Sequence, residues 1–327
     1  MILAGDIGGT NARLAFYEVA NEHFRLVCSA VFPSPEYTGL EEIAVRFVAD
    51  AKIQPELACF GIPGPVRDGR VEVSNLPWIV ESKKISAKLK IRETVLINDL
   101  EAYAWGIGVL GPQDVVPLNQ VKGNPVGNQA VIAAGTGLGE AGMFWDGIRH
   151  HAFACEGGHA DFAPRNALES DLFSYLYKRF GHVSVERVLS GPGLVNIFHF
   201  LRDTGRGVEP KWLAEEMLES DPAAAISRAA MNGKCPLSEQ ALDLFISIYG
   251  AEAGNMALKL MATGGVYLGG GIAPKMLPKL SGPLFMQAFA AKGRMQPLLE
   301  SIPVKVITSD NVALLGAARC AVVKSAA

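Results

Sequence analysis

Residues 2–17 read ILAGDIGGTNARLAFY and decide the fold of the N-terminal part of the chain. Two apolar runs, residues 2–7 and 12–17, flank a short stretch that contains a glycine pair. Glycines between two apolar runs are typical of a tight turn that joins two β-strands. The stretch therefore predicts a strand, a tight turn and a second strand.

An acidic residue, Asp6, precedes the two glycines inside the first apolar run. Glycines let backbone N–H groups approach a phosphate closely, and a carboxylate beside them can hold a hydrated metal ion. A plain hairpin explains the glycines, which are common in β-turns, but it does not explain an acid in an apolar strand. We therefore favour a phosphate-binding turn over a plain hairpin.

A second unit of the same kind begins at residue 131, where an apolar run leads into Gly-Thr-Gly-Leu-Gly at residues 135–139. Residues 137–142 formally match G-x-G-x-x-G, the dinucleotide-binding pattern. That pattern must open a helix, whereas here Asp146 and Gly147 turn the chain within a few residues. We predict a second hairpin with a second phosphate-binding loop, and the pair of hairpins indicates a divergent internal duplication.

Helical and strand patterns alternate between the two hairpins. The spacing of apolar residues predicts a helix at residues 40–51, strands at 57–62 and 94–97, and a helix that begins after Asn98 and Asp99. Strands mixed with helices predict α/β layers. Residues 111–128 are rich in Pro, Gly and Asn, so the preferred domain boundary lies there.

A long amphipathic helix is predicted at residues 242–260 from apolar residues spaced three to four apart. It runs into a short apolar strand, residues 266–268, which lies between two glycine clusters at 264–265 and 269–271. Such glycines leave room for a flat group, as an adenine ring would need. Close packing between a helix and a strand explains them equally well at this point.

Asn98 and Asp99 end an apolar strand and precede a helix. Both residue types are favoured helix N-caps, so capping explains at least one of them. The carboxyl end of a parallel strand is also where α/β proteins present catalytic groups. The segment alone does not decide between capping and catalysis.

Glu156 and His159 lie on either side of two glycines. The glycines disfavour the helical spacing that metal ligation would use, and a third ligand is not evident nearby. A carboxylate that accepts and an imidazole that donates or accepts suit the paired hydroxyls of a sugar. Glu186, which precedes a Ser-Gly-Pro-Gly stretch, would add a carboxylate, although taken singly it fits a charge on a helix surface better.

Composition excludes several classes of protein. Apolar residues make up 49% of the 327 residues and charged residues 19%, which excludes a disordered chain. A net charge of −3 lacks the basic excess needed for nucleic acid or anionic membranes, and no apolar stretch is long enough to span a bilayer. The five dispersed cysteines fit reduced thiols in the cytoplasm. Glycine is in surplus, with 35 residues, which calls for glycine-lined sites.

Five segments, taken in order, resemble the bacterial glucokinase family, within the superfamily that also contains hexokinase, actin and the heat-shock chaperone ATPases. The resemblance covers nearly the whole chain. The segments are GDIGGTNARL at residues 5–14, IND at 97–99, GTGLG at 135–139, EGGHADF at 156–162 and HVSVERVLSGPG at 182–193.

The resemblance implies an α/β protein with a two-domain actin-like ATPase fold, also called ribonuclease H-like, and a central cleft. Residues 1–110 plus about 300–327 would form a small domain with the first phosphate loop and the catalytic base. Residues 111–299 would form a large domain with the sugar clamp, the second phosphate loop and the adenosine site. The C-terminal helix, at about 312–323, would return to the small domain.

The resemblance also implies an ATP-dependent kinase that phosphorylates glucose at its 6-hydroxyl. Asp99 would be the general base, and it would bind the sugar together with Asn98, Glu156, His159 and Glu186. Asp6 would hold Mg²⁺, through water. The ATP-binding residues would be Gly5, Asp6, Ile7, Gly8, Gly9, Thr10, Gly135, Thr136, Gly137, Gly269, Gly270 and Gly271.

The expected partners are glucose and ATP, with no nucleic acid and no membrane, and the resemblance implies a cytoplasmic homodimer. The nearest alternative is a kinase for another hexose or an N-acetyl hexosamine, because a few hydroxyl contacts decide selectivity. A more distant alternative is a non-catalytic sugar-sensing regulator. It would need a DNA-binding module, and a nucleotide site at Asp6 leaves no room for one at the N-terminus.

Overall fold

The computed structural model describes residues 1–20, 23–74 and 76–325. The strands are β1 Ile2–Ile7, β2 Asn11–Ala20, β3 His23–Pro33, β4 Leu57–Ile62, β5 Arg70–Glu72, β6 Ile79–Glu81, β7 Glu93–Asn98, β8 Val115–Pro117, β9 Gln129–Ala134, β10 Leu138–Trp145, β11 His150–Cys155, β12 Gly265–Gly269 and β13 Val304–Ile307. The α-helices are α1 Leu40–Ala51, α2 Ser82–Leu89, α3 Asp99–Ile107, α4 Ala167–Phe180, α5 Gly191–Asp203, α6 Lys211–Glu219, α7 Pro222–Met231, α8 Pro236–Leu260, α9 Leu277–Leu280, α10 Pro283–Ala290, α11 Gln296–Glu300 and α12 Val312–Ser325.

The chain divides into two compact units. The first contains residues 1–114, 149–154 and 309–327, and the second contains 115–148 and 155–308. These segments differ from the predicted ranges mainly at residues 149–154, which belong to the first unit, and at 300–308, which belong to the second. Residues 304–307 belong to the second unit because they form β13, which pairs with β12.

A five-stranded sheet, ordered β3-β2-β1-β4-β7, organises the first unit. Strand β1 is antiparallel to β2 and parallel to β4, and β4 is parallel to β7. Both faces of β1 are buried, since Leu3 and Ile7 pack in one apolar cluster and Ile2 and Ala4 in another. Period-2 alternation explains this division, and it places the carboxyl ends of three parallel strands at one edge of the sheet.

Helices cover both faces of this sheet. Helices α1 and α2 contribute to the cluster around Leu3, while α3 and α12 contribute to the cluster around Ile2. Helix α12 packs so closely on α3 that a Cβ added at Gly316 would overlap the carbonyl oxygen of Ala102. The C-terminal helix is therefore part of the layer that supports the start of α3.

The second unit is built on a sheet whose strands β10-β9-β12-β13-β8 are hydrogen-bonded in that order. Strands β9 and β10 form an antiparallel hairpin, and β12 is parallel to both β9 and β13. The long helix α8 fills the core beside them, and the Tyr249 hydroxyl donates to the carbonyl of Ile132 over 3.2 Å. A Cβ at Gly250 would overlap the carbonyl of Phe285, so α8 and α10 lie in close contact.

Most predicted elements are confirmed. The helix at 40–51 and the strand at 57–62 have the predicted bounds, and residues 138–145 form a hairpin strand rather than the helix of a dinucleotide site. Helix α8 begins six residues earlier than predicted, at Pro236 rather than Leu242, because proline is well tolerated in the first turn of a helix. Among the described helices, none combines the length and apolar character that a membrane crossing requires.

Candidate active site

The turn between β1 and β2 in the first unit is held by Ser34. The Gly8 N–H donates to the carbonyl of Asn11 over 2.9 Å and closes the turn. The Ser34 hydroxyl donates to the Gly8 carbonyl over 2.7 Å, and the Ser34 N–H donates to the Thr10 carbonyl over 2.9 Å. Ser34 is fully buried, so these bonds fix the predicted phosphate turn from inside the fold.

Asp6 is paired with Arg13 on the neighbouring strand. The two residues are cross-strand partners, and Nη2 of Arg13 lies 2.5 Å from Oδ2 of Asp6. Arg13 also donates from Nη1 to the carbonyl of Asp310 over 2.8 Å. The ion pair therefore holds the Asp6 carboxylate in place at the end of β1 and joins it to the segment that precedes α12.

The donor set around Asp6 fits a hydrated magnesium ion bound together with phosphates. The described residues contain no cluster of three or more His, Cys, Asp or Glu side chains that would form a metal cage. Mg²⁺ usually keeps several waters and takes one or two carboxylates plus substrate phosphates, so a single carboxylate is sufficient. Asp6 would supply it.

Asn98 and Asp99 lie where β7 ends and α3 begins. The Asn98 side chain accepts from the Leu100 N–H over 2.9 Å, so Asn98 is the N-cap, and its amide donates to the Gly64 carbonyl over 3.4 Å. Asp99 is the first residue of the helix, and its Oδ1 also accepts from the Leu100 N–H. Capping therefore explains Asn98, while Asp99 is an acidic residue in the first turn of α3.

The loop between β9 and β10 in the second unit is shaped by backbone bonds. The Gly135 N–H donates to the Gly137 carbonyl over 2.9 Å, and the Gly191 N–H donates to the Gly135 carbonyl over 2.8 Å. A Cβ added at Gly135 would meet open space, whereas one at Gly137 would lie 2.6 Å from Oε2 of Glu186. A side chain at position 137 would therefore displace the Glu186 carboxylate from its present position.

Glu186 lies in a short 3₁₀ turn and not on the surface of an α-helix. Its Oε2 accepts from the Leu138 N–H over 2.9 Å, which ties the carboxylate to the first residue of β10. The interpretation of Glu186 as a charge on a helix surface is therefore wrong, because a contact between residues distant in sequence sets its position. Its assignment to sugar binding stays a prediction.

Glu156 precedes a single 3₁₀ turn, Gly157–His159, and His159 is its last residue. Both side chains are exposed. A Cβ at Gly158 would overlap the carbonyl of Leu138, so this turn also lies against the start of β10. Glu186 and the turn that carries Glu156 and His159 thus both contact the start of β10.

The glycine clusters around β12 have two explanations. A Cβ at Gly264 would overlap the Gly127 carbonyl, and one at Gly270, which has a φ of +77°, would overlap the Ala134 carbonyl. Close backbone packing therefore accounts for these two. Gly271 faces open space instead, and the Ile272 N–H donates to the Ala134 carbonyl over 3.2 Å. The predicted adenosine residues Gly269, Gly270 and Gly271 thus lie beside the strand that leads into Gly135.

Sequence reasoning missed Ser34 and the role of Arg13. Ser34 directly follows an exposed strand, and its local signal is a proline on either side. Arg13 was visible as the single charge in an apolar run, and its opposite charge to Asp6 was the available signal. If the register of the β1–β2 hairpin had been known, Asp6 and Arg13 would have been recognised as cross-strand partners.

Comparison with known proteins identifies the family. The family model described as Glucokinase matches residues 3–324. A glucokinase from Nostoc sp. is 43% identical over 337 residues, covering 98% of each chain. The crystal structure of a glucokinase from an Antarctic psychrotroph has a TM-score of 0.84 and 31% identity, covering 98% of each chain.

A more distant solved structure shares the fold. The ROK family glucokinase from Streptomyces griseus, in complex with glucose and AMPPNP, has a TM-score of 0.61 and 22% identity over 98% of each chain. The prediction of an α/β fold of the two-domain actin-like ATPase class is confirmed, while the central cleft stays a prediction. By a family match over nearly its whole length, the chain belongs to the glucokinase family.

Proposed function

We propose that this chain is an ATP-dependent glucokinase, which transfers the γ-phosphate of ATP to the 6-hydroxyl of glucose and releases glucose 6-phosphate and ADP. The observation that carries the proposal is the match to the glucokinase family over residues 3–324. The Streptomyces griseus relative was solved with glucose and AMPPNP, which supports glucose and ATP as the substrates.

Asp99 is the general base in this proposal. Phosphoryl transfer to an alcohol needs the hydroxyl in line with the γ-phosphate and an acceptor for its proton. The first turn of α3 holds the Asp99 carboxylate, and the Asn98 cap fixes that turn. Asn98, Glu156, His159 and Glu186 bind glucose hydroxyls, because carboxylates accept and amide and imidazole groups can donate.

Glycine-rich backbone binds the nucleotide in this proposal. Residues 5–10 and 135–137 bind the ATP phosphates, with the N–H groups of Gly8 and Gly135 closing the two turns, and residues 269–271 border the adenosine. Asp6 holds Mg²⁺ through water, and the ion supplies positive charge against the phosphate oxygens. Arg13 keeps the Asp6 carboxylate at the end of β1, where the turn begins.

The cellular setting is also part of the proposal. A glucokinase supplies glucose 6-phosphate to glycolysis, and we place the protein in the cytoplasm, where ATP and reduced thiols are found. All five cysteines are unpaired, which is consistent with that compartment. We propose a homodimer by analogy with the family, and sedimentation equilibrium of the purified chain would measure its mass.

The substrate is tested with the purified protein and a coupled assay that reports ADP. Glucose, mannose, fructose and N-acetylglucosamine are compared at equal concentrations with Mg·ATP. We expect the highest kcat/KM with glucose. A higher kcat/KM for another sugar would reject glucokinase in favour of the alternative hexose kinase, and sugar binding without turnover would favour a regulator.

Ser34→Ala is expected to raise the KM for ATP a few-fold, with little change in the KM for glucose. The variant loses the 2.7 Å bond to the Gly8 carbonyl, so the phosphate turn is held less firmly. A buried hydrogen bond typically contributes about 1 kcal/mol, which sets the expected loss of stability in urea unfolding. Ser29→Ala, at an exposed position of β3, is the control; equal ATP KM values for the two variants would reject the role of Ser34.

A further inference from the structure

The turn that carries Glu156 and His159 lies against a buried carboxyl group, that of Glu140 on β10. A Cβ added at Gly157 would overlap Oε2 of Glu140, so this oxygen lies directly against the turn. Cys155, which precedes the turn, places its Sγ 3.4 Å from the backbone carbonyl of Glu140. Glu140 therefore forms part of the surface on which the sugar-binding turn rests.

A glutamate is unusual at such a position, because its side chain is normally ionised and only 3% of this residue is exposed. Its Oε1 has no hydrogen-bond partner among the described residues, and the same is true of Oε1 of Glu252 on α8. Burial, and then the negative charge of Glu252, raise the pKa of Glu140 to about 7. A proton on Glu140 makes its carboxyl group neutral and able to donate, which suits an oxygen that has no partner.

The groups around Glu140 come from two elements. Helix α8 contributes Glu252 and Lys259, whose Nζ lies 3.6 Å from Oε1 of Glu252. Glu252 also accepts from the Asn255 amide over 2.8 Å, and Asn255 in turn accepts from Lys292. The exposed Lys259 offsets part of the repulsion between the two carboxylates. Its positive charge lowers the pKa of Glu140 and so opposes the effect of burial.

The turn itself contributes the remaining titratable groups: Glu156, His159 and the Cys155 thiol. Burial raises the pKa of Cys155, so that thiol stays neutral across the physiological range. Glu156 and His159 are exposed and belong to the proposed sugar site.

We propose that Glu140 is a positioning residue for the sugar: as a neutral carboxylic acid it supports Gly157 and so fixes Glu156 and His159, and its ionisation loosens that turn. The inference rests on the proposed function, because it assigns a support to the predicted sugar-binding residues. It goes beyond that function by making the affinity for glucose depend on a buried group that does not touch the substrate.

The direction of the effect follows from the cost of burying charge. Below the pKa of Glu140 the acid is neutral and the turn keeps its position. Above it, an ionised carboxylate whose Oε1 has no hydrogen-bond partner among the described residues must gain water or move, and Gly157 lies in direct contact with its Oε2. Raising the pH therefore weakens glucose binding, whereas the phosphate-binding turn at Asp6 does not contain this group.

The test measures KM for glucose, KM for ATP and kcat between about pH 6 and pH 8.5 in the wild type and in Glu140→Gln. Glutamine is neutral at every pH and has nearly the shape of the protonated acid. We expect the wild-type glucose KM to rise by up to about tenfold, below the ~100-fold loss that a misplacement of about 1 Å can cause. In Glu140→Gln it stays near the low-pH value, with ATP KM unchanged in both.

Glu252→Gln provides a second, independent measurement that does not require Glu140→Gln to fold. Removing the negative charge beside Glu140 eases its ionisation, so the rise in glucose KM is expected at lower pH than in the wild type. Glu239→Gln is the matched control on the same helix: it lies 13 residues from Glu252, about 20 Å along α8, and should leave the inflection where it is.

Two outcomes overturn the proposal. One is a pH profile of glucose KM that is the same in Glu140→Gln as in the wild type, and the other is an inflection that Glu252→Gln leaves unmoved. Both differ from failure of the proposed function, in which the wild type itself phosphorylates no glucose at any pH. In the first of these outcomes, a loss of thermal stability in Glu140→Gln would assign Glu140 to the core alone.

Discussion

Asp99→Asn is expected to lower kcat for glucose phosphorylation by about 10²–10⁴-fold while glucose still binds, because the substitution removes a general base and little else. Asparagine keeps an oxygen that can accept from the Leu100 N–H, so the first turn of α3 retains its hydrogen bond. Loss of the negative charge at a helix N-terminus costs only about 0.3–1 kcal/mol of stability. The fold should therefore survive.

The measurement combines steady-state kinetics with isothermal titration of glucose into the variant. A fall in kcat with a nearly unchanged dissociation constant separates proton transfer from sugar binding. Asp50→Asn is the matched control, since Asp50 is an exposed carboxylate whose contact is an ion pair with Arg46, 3.7 Å away. Turnover within a few-fold of wild type in Asp99→Asn would show that another group accepts the proton.

Gly316→Ala is expected to destabilise the first unit and to reduce turnover, although Gly316 touches neither proposed substrate. The added methyl would overlap the carbonyl of Ala102 and would lie 2.5 Å from the backbone nitrogen of Gly106. These neighbours are helix backbone and cannot rotate away as a side chain can. Overpacking of this kind typically costs about 1–3 kcal/mol, and here it would push α12 away from α3.

Turnover should fall as well because α3 begins at Asp99 and carries the proposed base. If α3 is displaced at Ala102, Asp99 moves with it, because Asp99 lies about one turn earlier in the same helix. The measurement is the midpoint of urea unfolding together with kcat at saturating substrates.

Gly191→Ala is the matched control for Gly316→Ala. It also changes a helical glycine, but the nearest atoms to the added Cβ would lie at ordinary contact distances of 3.5 and 3.6 Å. We expect its unfolding midpoint to stay close to that of the wild type. Equal stability of the two variants would show that the crossing of α3 and α12 relaxes without cost.

The local pattern of residues was sufficient to predict the secondary structure around the site. A glycine pair between apolar runs predicted the β1–β2 hairpin, and an Asp-Gly turn distinguished the β9–β10 hairpin from a dinucleotide site. Hairpins and capped helices are determined by neighbours within a few residues, and these are visible in any window of the chain. The same reasoning predicted a cap at Asn98 or Asp99, and the structure shows that Asn98 is the N-cap.

Contacts between distant residues were not predictable in this way. Ser34 binds Gly8 across 26 positions, and Glu186 binds Leu138 across 48, so no window contains both partners. The burial of Glu140 likewise depends on distant parts of the chain, α8 and the turn at Gly157. The charge of a buried carboxyl is decided by what surrounds it, which the linear order of residues does not specify.

The amino-acid sequence by itself therefore determined which elements form and, through five ordered motifs, which family they resemble. Only the tertiary structure decided that Glu186 and the turn at Gly157 both contact the start of β10, and that Ser34 and Arg13 hold the turn at Asp6. The physical reason is the range of the interactions. Hydrogen bonding in turns and helices is local, whereas packing and desolvation depend on parts of the chain that only the folded state brings together.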